Sequence, residues 1–193
     1  QPRQLTYYIQ LLETILDAKA TAVATAAAAA GRVAPWLANP AHNRGLADLP
    51  RVTVCETGFN AGHSAAAFLT VSDRVDYVGF DLGTEYSAAK PCFQRLVGSF
   101  GAARMKVTWG DSITTVPRYL RENPALRCDL AVVDGGHAYR PALSDLKNFA
   151  RVMSPQGWVL VDDCASVNAE TMMKAWNEVV GGTAGGIGGG ARL

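Results

Sequence analysis

The sequence has no excess of charge of either sign and no long apolar run. Its 193 residues include 18 Lys and Arg against 17 Asp and Glu, a net charge of +1. This balance offers no attraction for a polyanion, so a nucleic-acid partner is not expected. The longest weakly polar stretch, residues 20–31, is shorter than the roughly 20 residues that cross a bilayer, so we expect no membrane span.

Cysteine is scarce and carries no motif. Cys55, Cys92, Cys128 and Cys164 are widely spaced and contain no C-x-x-C pair. Neither a structural zinc site nor a disulfide framework is therefore indicated. We predict that these cysteines are small buried hydrophobic side chains.

The residues that are present predict one globular domain with flanking segments. The composition is 49% hydrophobic and 18% charged, typical of a soluble globular chain. Residues 1–50 read as a leading helix, about Leu5 to Ala30, followed by a connector rich in Pro, Gly and Asn. Residues 181–193 form a glycine-rich segment that predicts a flexible tail.

The two ends of the sequence indicate how it relates to a full-length protein. Because it begins at Gln1 and closes in a glycine tract, we expect a fragment or an altered C-terminus. The compartment is not fixed by the sequence, and a soluble, cytoplasmic protein is favoured.

Between residues 51 and 180, short apolar runs alternate with helix-compatible segments. The predicted strands are Val52–Thr57, Tyr77–Asp81, Lys106–Trp109, Cys128–Asp134 and Trp158–Asp162. Near-continuous apolar runs suit a parallel sheet that is covered on both faces. We predict an α/β domain, a Rossmann-like doubly wound and mostly parallel sheet with five core strands. Ligands of such sheets bind beyond the carboxyl ends of the strands.

The first predicted strand ends in a glycine-containing loop, residues 56–64, which reads E-T-G-F-N-A-G-H-S. Glycines permit a tight turn and close approach of the backbone to a ligand. A nicotinamide-cofactor fingerprint needs G-x-G-x-x-G, and the middle glycine is missing here. Glu56 would repel a diphosphate and would suit a cofactor that carries an ammonium group. A purely structural β-α turn is the alternative.

The next two strand ends each place a carboxylate in the expected crevice. Asp81 follows the second strand, at the position where α/β nucleotide folds hold a ribose diol. Asp111 and Ser112 follow the third strand, where they could contact a base. A plain N-cap for the following helix explains Asp111 equally well.

The fourth and fifth strand ends carry the groups best suited to chemistry. Asp134 closes the fourth strand, and Asp162 and Asp163 close the fifth. Three neighbouring carboxylates would repel one another, and a divalent cation such as Mg²⁺ is the natural compensation. His137 lies two glycines beyond Asp134 and could act as a general base. An Asx-type turn with a surface histidine is the alternative.

Taken together and in this order, the five strand ends resemble those of class I S-adenosylmethionine-dependent methyltransferases. The pattern is most similar to the methyltransferase 24 group, which is itself similar to catechol and macrolide-sugar O-methyltransferases. The resemblance covers about residues 51–180, and the D-G-G-H segment at 134–137 is its most distinctive part.

This resemblance implies a role for each predicted site residue. It implies that the first loop surrounds the methionine part of the cofactor, that Asp81 binds the ribose hydroxyls, and that Asp111 and Ser112 flank the adenine. It also implies that Asp134, Asp162 and Asp163 hold Mg²⁺, and that His137 is the base, where catechol enzymes often have Lys. The implied cofactor-binding set is Glu56, Gly58, Phe59, Asn60, Gly62, Ser64, Asp81, Leu82, Asp111, Ser112 and Asp134.

The implied function is metal-assisted transfer of a methyl group from S-adenosylmethionine to a hydroxyl of a small molecule or sugar. A metal would lower the pKa of the hydroxyl and fix its position. Two alternatives stay open, namely a non-catalytic cofactor-binding module or inactive truncated enzyme, and a nicotinamide oxidoreductase on a similar sheet.

Family members usually complete the sheet with an antiparallel hairpin, for which no strand pair fits after residue 180. We therefore expect the fifth strand to be an exposed edge. Exposed edges are prone to pairing with another chain, so a homo-oligomer formed through this edge is also predicted.

Overall fold

Five β-strands alternate with α-helices in the computed structural model, which describes residues 2–30 and 50–181. The helices are α1 (Pro2–Ala29), α2 (His63–Val71), α3 (Ala89–Phe100), α4 (Ser112–Glu122), α5 (Tyr139–Ala150) and α6 (Ala169–Gly181). The strands are β1 (Val52–Thr57), β2 (Val75–Asp81), β3 (Met105–Trp109), β4 (Cys128–Val133) and β5 (Met153–Val161). This alternation confirms the predicted α/β class.

The strands form one sheet in the order β3-β2-β1-β4-β5, and every neighbouring pair is parallel. The chain moves outward from β1 to β3 and then crosses back to β4. The carboxyl ends of β1 and β4 therefore diverge into the crevice where doubly wound sheets bind ligands. The predicted Rossmann-like, doubly wound fold is confirmed.

Helices cover both faces of the sheet and thereby explain its apolar strands. On one face, α1 to α3 pack on a core that contains Leu12, Phe68 and Val54. On the other face, α4 to α6 pack on a core that contains Leu146 and Phe149. Every residue of β4 is buried, as expected for a central parallel strand.

The leading helix is part of the domain rather than an appendage. Its buried residues Tyr8, Leu11, Leu12, Ile15 and Leu16 recur at helical spacing and join the first core. The helix is also fixed by charge, because Lys19 Nζ lies 2.8 Å from the buried carboxylate of Asp129.

Two cysteines differ from the prediction. Cys55 on β1 and Cys128 on β4 are joined in a disulfide with a Cα–Cα distance of 5.8 Å, whereas Cys92 and Cys164 are free. The sequence indicates no disulfide framework, and the prediction that all four cysteines are simple buried hydrophobic side chains was wrong for this bonded pair. The reason is topological, since the two residues are 73 positions apart in sequence and become neighbours only because β1 pairs with β4.

The starts of α4 and β5 depend on local contacts. α4 begins at Ser112, because the Asp111 side chain accepts a hydrogen bond from Ile113 N and caps the helix. The fifth strand begins at Met153 rather than Trp158, and an irregularity in its pairing with β4 accommodates the breakers Pro155 and Gly157.

Some predictions fall outside the described residues. These are the connector over 31–49, the flexible tail over 182–193 and the missing hairpin. Within residues 2–30 and 50–181, β5 pairs with β4 alone, and oligomerisation through that edge stays a prediction. No helix in the same two ranges has the length and apolarity needed to cross a membrane.

Candidate cofactor and acceptor site

A cavity of about 320 Å³ opens at the carboxyl ends of β1 to β4. Its walls carry four acidic side chains, Asp81, Glu85, Asp111 and Asp134. None of the described residues that line it is Lys or Arg. The cavity therefore suits a ligand with positive charge, and a diphosphate would be repelled there.

The loop after β1 lies close against β4. Gly58 has a φ of +96°, and a Cβ atom at this position would lie 1.9 Å from the backbone oxygen of Asp134. Only glycine fits both the backbone angle and the space. The loop is further fixed by a hydrogen bond from Gly58 N to Phe80 O at 2.8 Å.

Glu56 is fully buried beneath this loop. Its Oε2 atom accepts hydrogen bonds from the Tyr77 hydroxyl and, at 2.9 Å, from Ser64 Oγ. Burial raises the pKa of Glu56 to about 7, although the hydrogen bonds from Tyr77 and Ser64 oppose the shift. Glu56 Oε1 has no hydrogen-bond partner. The carboxyl group of Glu56 therefore does not line the cavity, and its hydrogen bonds are made to Ser64 and to Tyr77.

Asp81 joins the loops that follow β1 and β2. Its Oδ2 atom accepts from Asn60 N at 2.9 Å, and its Oδ1 atom accepts from Gly83 N at 2.6 Å. Each carboxylate oxygen has a second lone pair. Asp81 can therefore hold both loops and still accept hydrogen bonds from a diol in the cavity.

The loop after β3 supplies Asp111 and Ser112. The Asp111 carboxylate caps α4, and Ser112 Oγ donates to Asp145 Oδ2 at 3.1 Å. Both Asp111 and Ser112 line the cavity. The capping role and a ligand-binding role are therefore compatible for Asp111.

The three carboxylates after β4 and β5 do not converge on one point. Asp134 is hydrogen-bonded to Asp162, and burial together with the charge of Asp162 raises the pKa of Asp134 to about 8. Asp163 instead directs its Oδ2 atom toward His137 Nε2, at 3.0 Å.

The part of the chain that the structure describes contains no group of three or more His, Cys, Asp or Glu side chains arranged to hold a metal. This arrangement does not fit a three-carboxylate Mg²⁺ site.

Both ring nitrogens of His137 have partners. Nε2 faces Asp163, and the amide nitrogen of Asn168 lies 3.0 Å from Nδ1. An amide nitrogen only donates, so Nδ1 is the unprotonated nitrogen in this arrangement and Nε2 carries the hydrogen. Asp163 itself has a φ of 59°, in the left-handed region that non-glycine residues adopt rarely.

Comparison with known proteins identifies the family. Residues 55–164, more than half of the chain, match the family model described as a methyltransferase domain, methyltransferase 24. The chain belongs to this family. S-adenosylmethionine is the cofactor that this membership supports, and the predicted resemblance is confirmed. No curated protein matches the methyltransferase chain significantly.

Solved structures agree with this fold. The chain is similar to apo CalS11, a TDP-rhamnose 3'-O-methyltransferase of calicheamicin biosynthesis, with 24% identity, a TM-score of 0.60 and coverage of 69% of this chain and 64% of that one. The chain is also similar to a second CalS11 structure, with 20% identity and a TM-score of 0.58, and the match covers 91% of this chain and 84% of that one. A third similar structure is a putative caffeoyl-CoA O-methyltransferase from Staphylococcus aureus, with 14% identity and a TM-score of 0.52, and the match covers 69% of this chain and 66% of that one.

The predicted site residues of the methyltransferase divide into three groups. Gly58, Asn60, Asp81, Leu82, Asp111, Ser112 and Asp134 line the cavity. Four other residues of the first loop do not line the cavity, namely Glu56, Phe59, Gly62 and Ser64. Glu56 and Ser64 are hydrogen-bonded to each other, Phe59 packs against Tyr77 and Trp109, and a Cβ atom at Gly62 would contact Phe59 and Leu96. Asp162, Asp163 and His137 lie at the β4–β5 edge of the site, outside the cavity lining.

Sequence reasoning missed Tyr77, Asp145 and Asn168. Asp145 had a usable signal, because it shares the core-facing side of α5 with Ala142, Leu146 and Phe149 at helical spacing, and an acid on such a face needs a partner. Tyr77 and Asn168 carried no comparable signal, since their contacts are with residues far away in sequence.

Proposed function

We propose that this protein is an S-adenosylmethionine-dependent methyltransferase that methylates a hydroxyl oxygen of a small molecule or sugar. The observation that carries the proposal is the cavity lined by acidic side chains and lacking Lys and Arg among its described residues. S-adenosylmethionine bears a sulfonium and an ammonium against one carboxylate, so its net charge is complementary. A nicotinamide dinucleotide has a diphosphate and is disfavoured by the same charges.

The residues present would hold the cofactor along the crevice. Asp81 would accept hydrogen bonds from the ribose hydroxyls, and Asp111 and Ser112 would flank the adenine. The first loop, which Gly58 keeps close to Asp134, would enclose the methionine part. The buried carboxyl of Glu56 lies below that part and favours its positive charge once ionised.

When bound, S-adenosylmethionine supplies a methyl group whose bond to sulfur breaks, the electron pair staying on sulfur, as the acceptor oxygen bonds to the methyl carbon. His137 takes the hydroxyl proton at Nδ1. To do so it exchanges the Asn168 amide for the acceptor hydroxyl, one hydrogen-bond donor for another. Asp163 then faces the imidazolium through Nε2 and stabilises its charge.

Two exposed side chains, His137 and Tyr86, support the proposed class of acceptor. His137 has a side chain that is 44% exposed, so a second substrate can reach it. Tyr86 lines the cavity and is 46% exposed, which leaves a ring face for a sugar or phenol. Sugar nucleotides are tested first because TDP-rhamnose is the substrate named for CalS11.

Titration calorimetry with S-adenosylhomocysteine tests the cofactor site. We expect binding to the wild-type chain, and binding weakened by at least roughly 30-fold in Asp81→Ala, because hydrogen bonds to a charged group contribute about 1.5–3 kcal/mol each. The control is Asp76→Ala on the same strand, whose carboxylate pairs with Arg51 at 2.6 Å outside the cavity lining. Absence of wild-type binding would refute the proposal.

Transfer of a radiolabelled methyl group tests the reaction. Sugar nucleotides and phenols serve as acceptors, each with added Mg²⁺ and with EDTA. We expect His137→Ala to lower kcat by about 10²–10⁴-fold, the range of general base catalysis, with S-adenosylhomocysteine affinity unchanged. Activity lost in EDTA and restored by Mg²⁺ would show that the reaction needs a metal and would contradict the misfit of the three carboxylates to a Mg²⁺ site. Cofactor binding without transfer to any acceptor would favour the non-catalytic module.

A further inference from the structure

Asp145 is a buried acid that the proposed reaction does not use. It lies on α5 and is 0% exposed. Its Oδ2 atom accepts a hydrogen bond from Ser112 Oγ at 3.1 Å, while its Oδ1 atom has no hydrogen-bond partner. Burying a carboxyl group costs free energy unless it is hydrogen-bonded or paired, and only the Oδ2 atom of Asp145 is hydrogen-bonded. Its neighbour Ser112 lines the cavity, so the cost is incurred at the wall of the site.

The contact fixes the direction of the Ser112 hydroxyl. An ionised carboxylate accepts hydrogen bonds and cannot donate them, so the single hydroxyl hydrogen of Ser112 is committed to Asp145. Burial raises the pKa of Asp145 to about 6, while Ser112 and Thr57 favour its charged form. Asp145 is therefore mostly ionised at pH 7.5. For any further partner, the Ser112 oxygen can then only accept.

We propose that Asp145 is a positioning residue that makes Ser112 a hydrogen-bond acceptor for the purine base of the cofactor, and so selects adenine over hypoxanthine. This inference rests on the proposed function. The adenine 6-amino group donates to such an oxygen. The 6-oxo group of hypoxanthine would instead bring one lone pair against another, an arrangement that costs affinity because neither group gains a partner.

The test compares S-adenosylhomocysteine with its deaminated analogue, S-inosylhomocysteine, by calorimetry at pH 7.5. We expect the wild-type chain to prefer the adenine compound by at least roughly 10-fold. Asp145→Leu frees the Ser112 hydroxyl to rotate, and we expect the preference to fall below about 3-fold. Asp145→Asn keeps an oxygen that can accept from Ser112, so it should restore most of the preference.

A matched control separates positioning from packing. Asn148 lies on the same helix, is 7% exposed and contacts Ser144 through its side chain. Asn148→Leu makes a comparable polar-to-apolar change and should leave the preference intact. If Asp145→Leu does not fold, Ser112→Ala removes the accepting oxygen directly and should likewise abolish the preference.

The outcomes are distinct. An unchanged preference in Asp145→Leu or Ser112→Ala, with both ligands weakened equally, would overturn the assignment and leave the proposed function standing. Equal binding of the two ligands by the wild-type chain would do the same. Failure of the wild-type chain to bind either ligand would overturn the proposed function and this assignment with it.

Discussion

The two halves of the site are held in different ways. In the β1–β3 half, the loops that follow β1, β2 and β3, the contacts are buried or involve backbone groups, as with Glu56, which is 0% exposed, and Asp81, which binds two backbone N–H groups. In the β4–β5 half, the loops that follow β4 and β5, His137 and Asp163 are 44% and 24% exposed and meet through side chains alone.

This difference matches the roles proposed for the two halves, cofactor binding in the β1–β3 half and proton transfer in the β4–β5 half. Buried and backbone contacts are present before a ligand arrives and lower the cost of binding it. Half-exposed side-chain contacts are weaker and are easily exchanged, as the proton transfer proposed for His137 requires. Substitutions should therefore have large effects where the β1–β3 half is built and small effects on stability at the outer edge of the β4–β5 half.

The largest effect is expected where the two halves touch. Gly58→Ala places a Cβ atom 1.9 Å from Asp134 O at a φ of +96°. We expect the free energy of unfolding in urea to fall by about 3 kcal/mol or more, from backbone strain and overpacking together. Gly98→Ala in α3 is the control, since nothing lies within 4 Å of its added Cβ. Equal stability of the two variants would contradict this contact.

The next effect concerns the covalent link between the halves. The disulfide between Cys55 and Cys128 joins β1 to β4. Replacing both cysteines with Ala should lower the free energy of unfolding by about 2–4 kcal/mol. The matched control replaces the free cysteines, Cys92 and Cys164. Titration of the denatured, unreduced chain should detect two thiols, and detection of four would show that the link is absent.

An intermediate effect is expected at Glu56, through pH. Its pKa is about 7 in the folded chain against 4.5 as the reference value. The folded state therefore holds a proton that the unfolded state has lost, and Glu56 lowers stability as pH rises from about 4.5 to 7, by on the order of 3 kcal/mol.

Glu56→Gln cannot ionise, so its stability should fall less than that of the wild type over this pH range. Asp134 and Asp145 also have raised pKa values and contribute slopes of the same sign. The slope from Asp145 cancels in the difference between wild type and variant, whereas the slope from Asp134 is reduced in the variant, because the charge of Glu56 helps to raise the pKa of Asp134. Unfolding in urea at several pH values gives the measurement. Parallel curves for the two proteins would argue against a raised pKa at Glu56.

The smallest effect is expected at the exposed contact between α5 and α6. Glu178 accepts hydrogen bonds from Lys147 and Tyr139, and the hydrogen bond from Lys147 lowers its pKa. Because such surface pairs contribute little in water, Glu178→Gln should leave the urea midpoint unchanged within error. A loss of stability comparable to that of the cysteine variant would show that the contact between α5 and α6 contributes more than its exposure indicates.

Much of the fold could be predicted because its signals are local. The β1 boundaries, Val52–Thr57, agree with the prediction, since an apolar run bounded by Gly58 and by polar residues is visible in the sequence itself. The start of β5 at Met153 was missed because Pro155 and Gly157 lower strand propensity. Pairing with β4 overrides that propensity, and propensity alone cannot show the pairing.

The sequence predicted where the candidate site lies, but it predicted only some of the contacts among the site's side chains. Asp81 and Ser112 line the cavity because strand ends of a parallel sheet meet at one edge. Asp163 was expected beside Asp134, yet it contacts His137. The backbone of Asp163 has a φ of 59°, and no feature of the Asp162-Asp163 pair in sequence indicates that conformation.

The sequence by itself determined the alternation of strands and helices, and therefore the edge of the sheet at which polar side chains gather. Only the tertiary structure decided which of those groups are paired. It joins Cys55 to Cys128, buries Glu56 against Tyr77 and brings Asp145 to Ser112. The physical reason is that periodicity acts over a few residues, whereas hydrogen bonds and burial depend on atoms brought together by strand order, across sequence separations that no local pattern records.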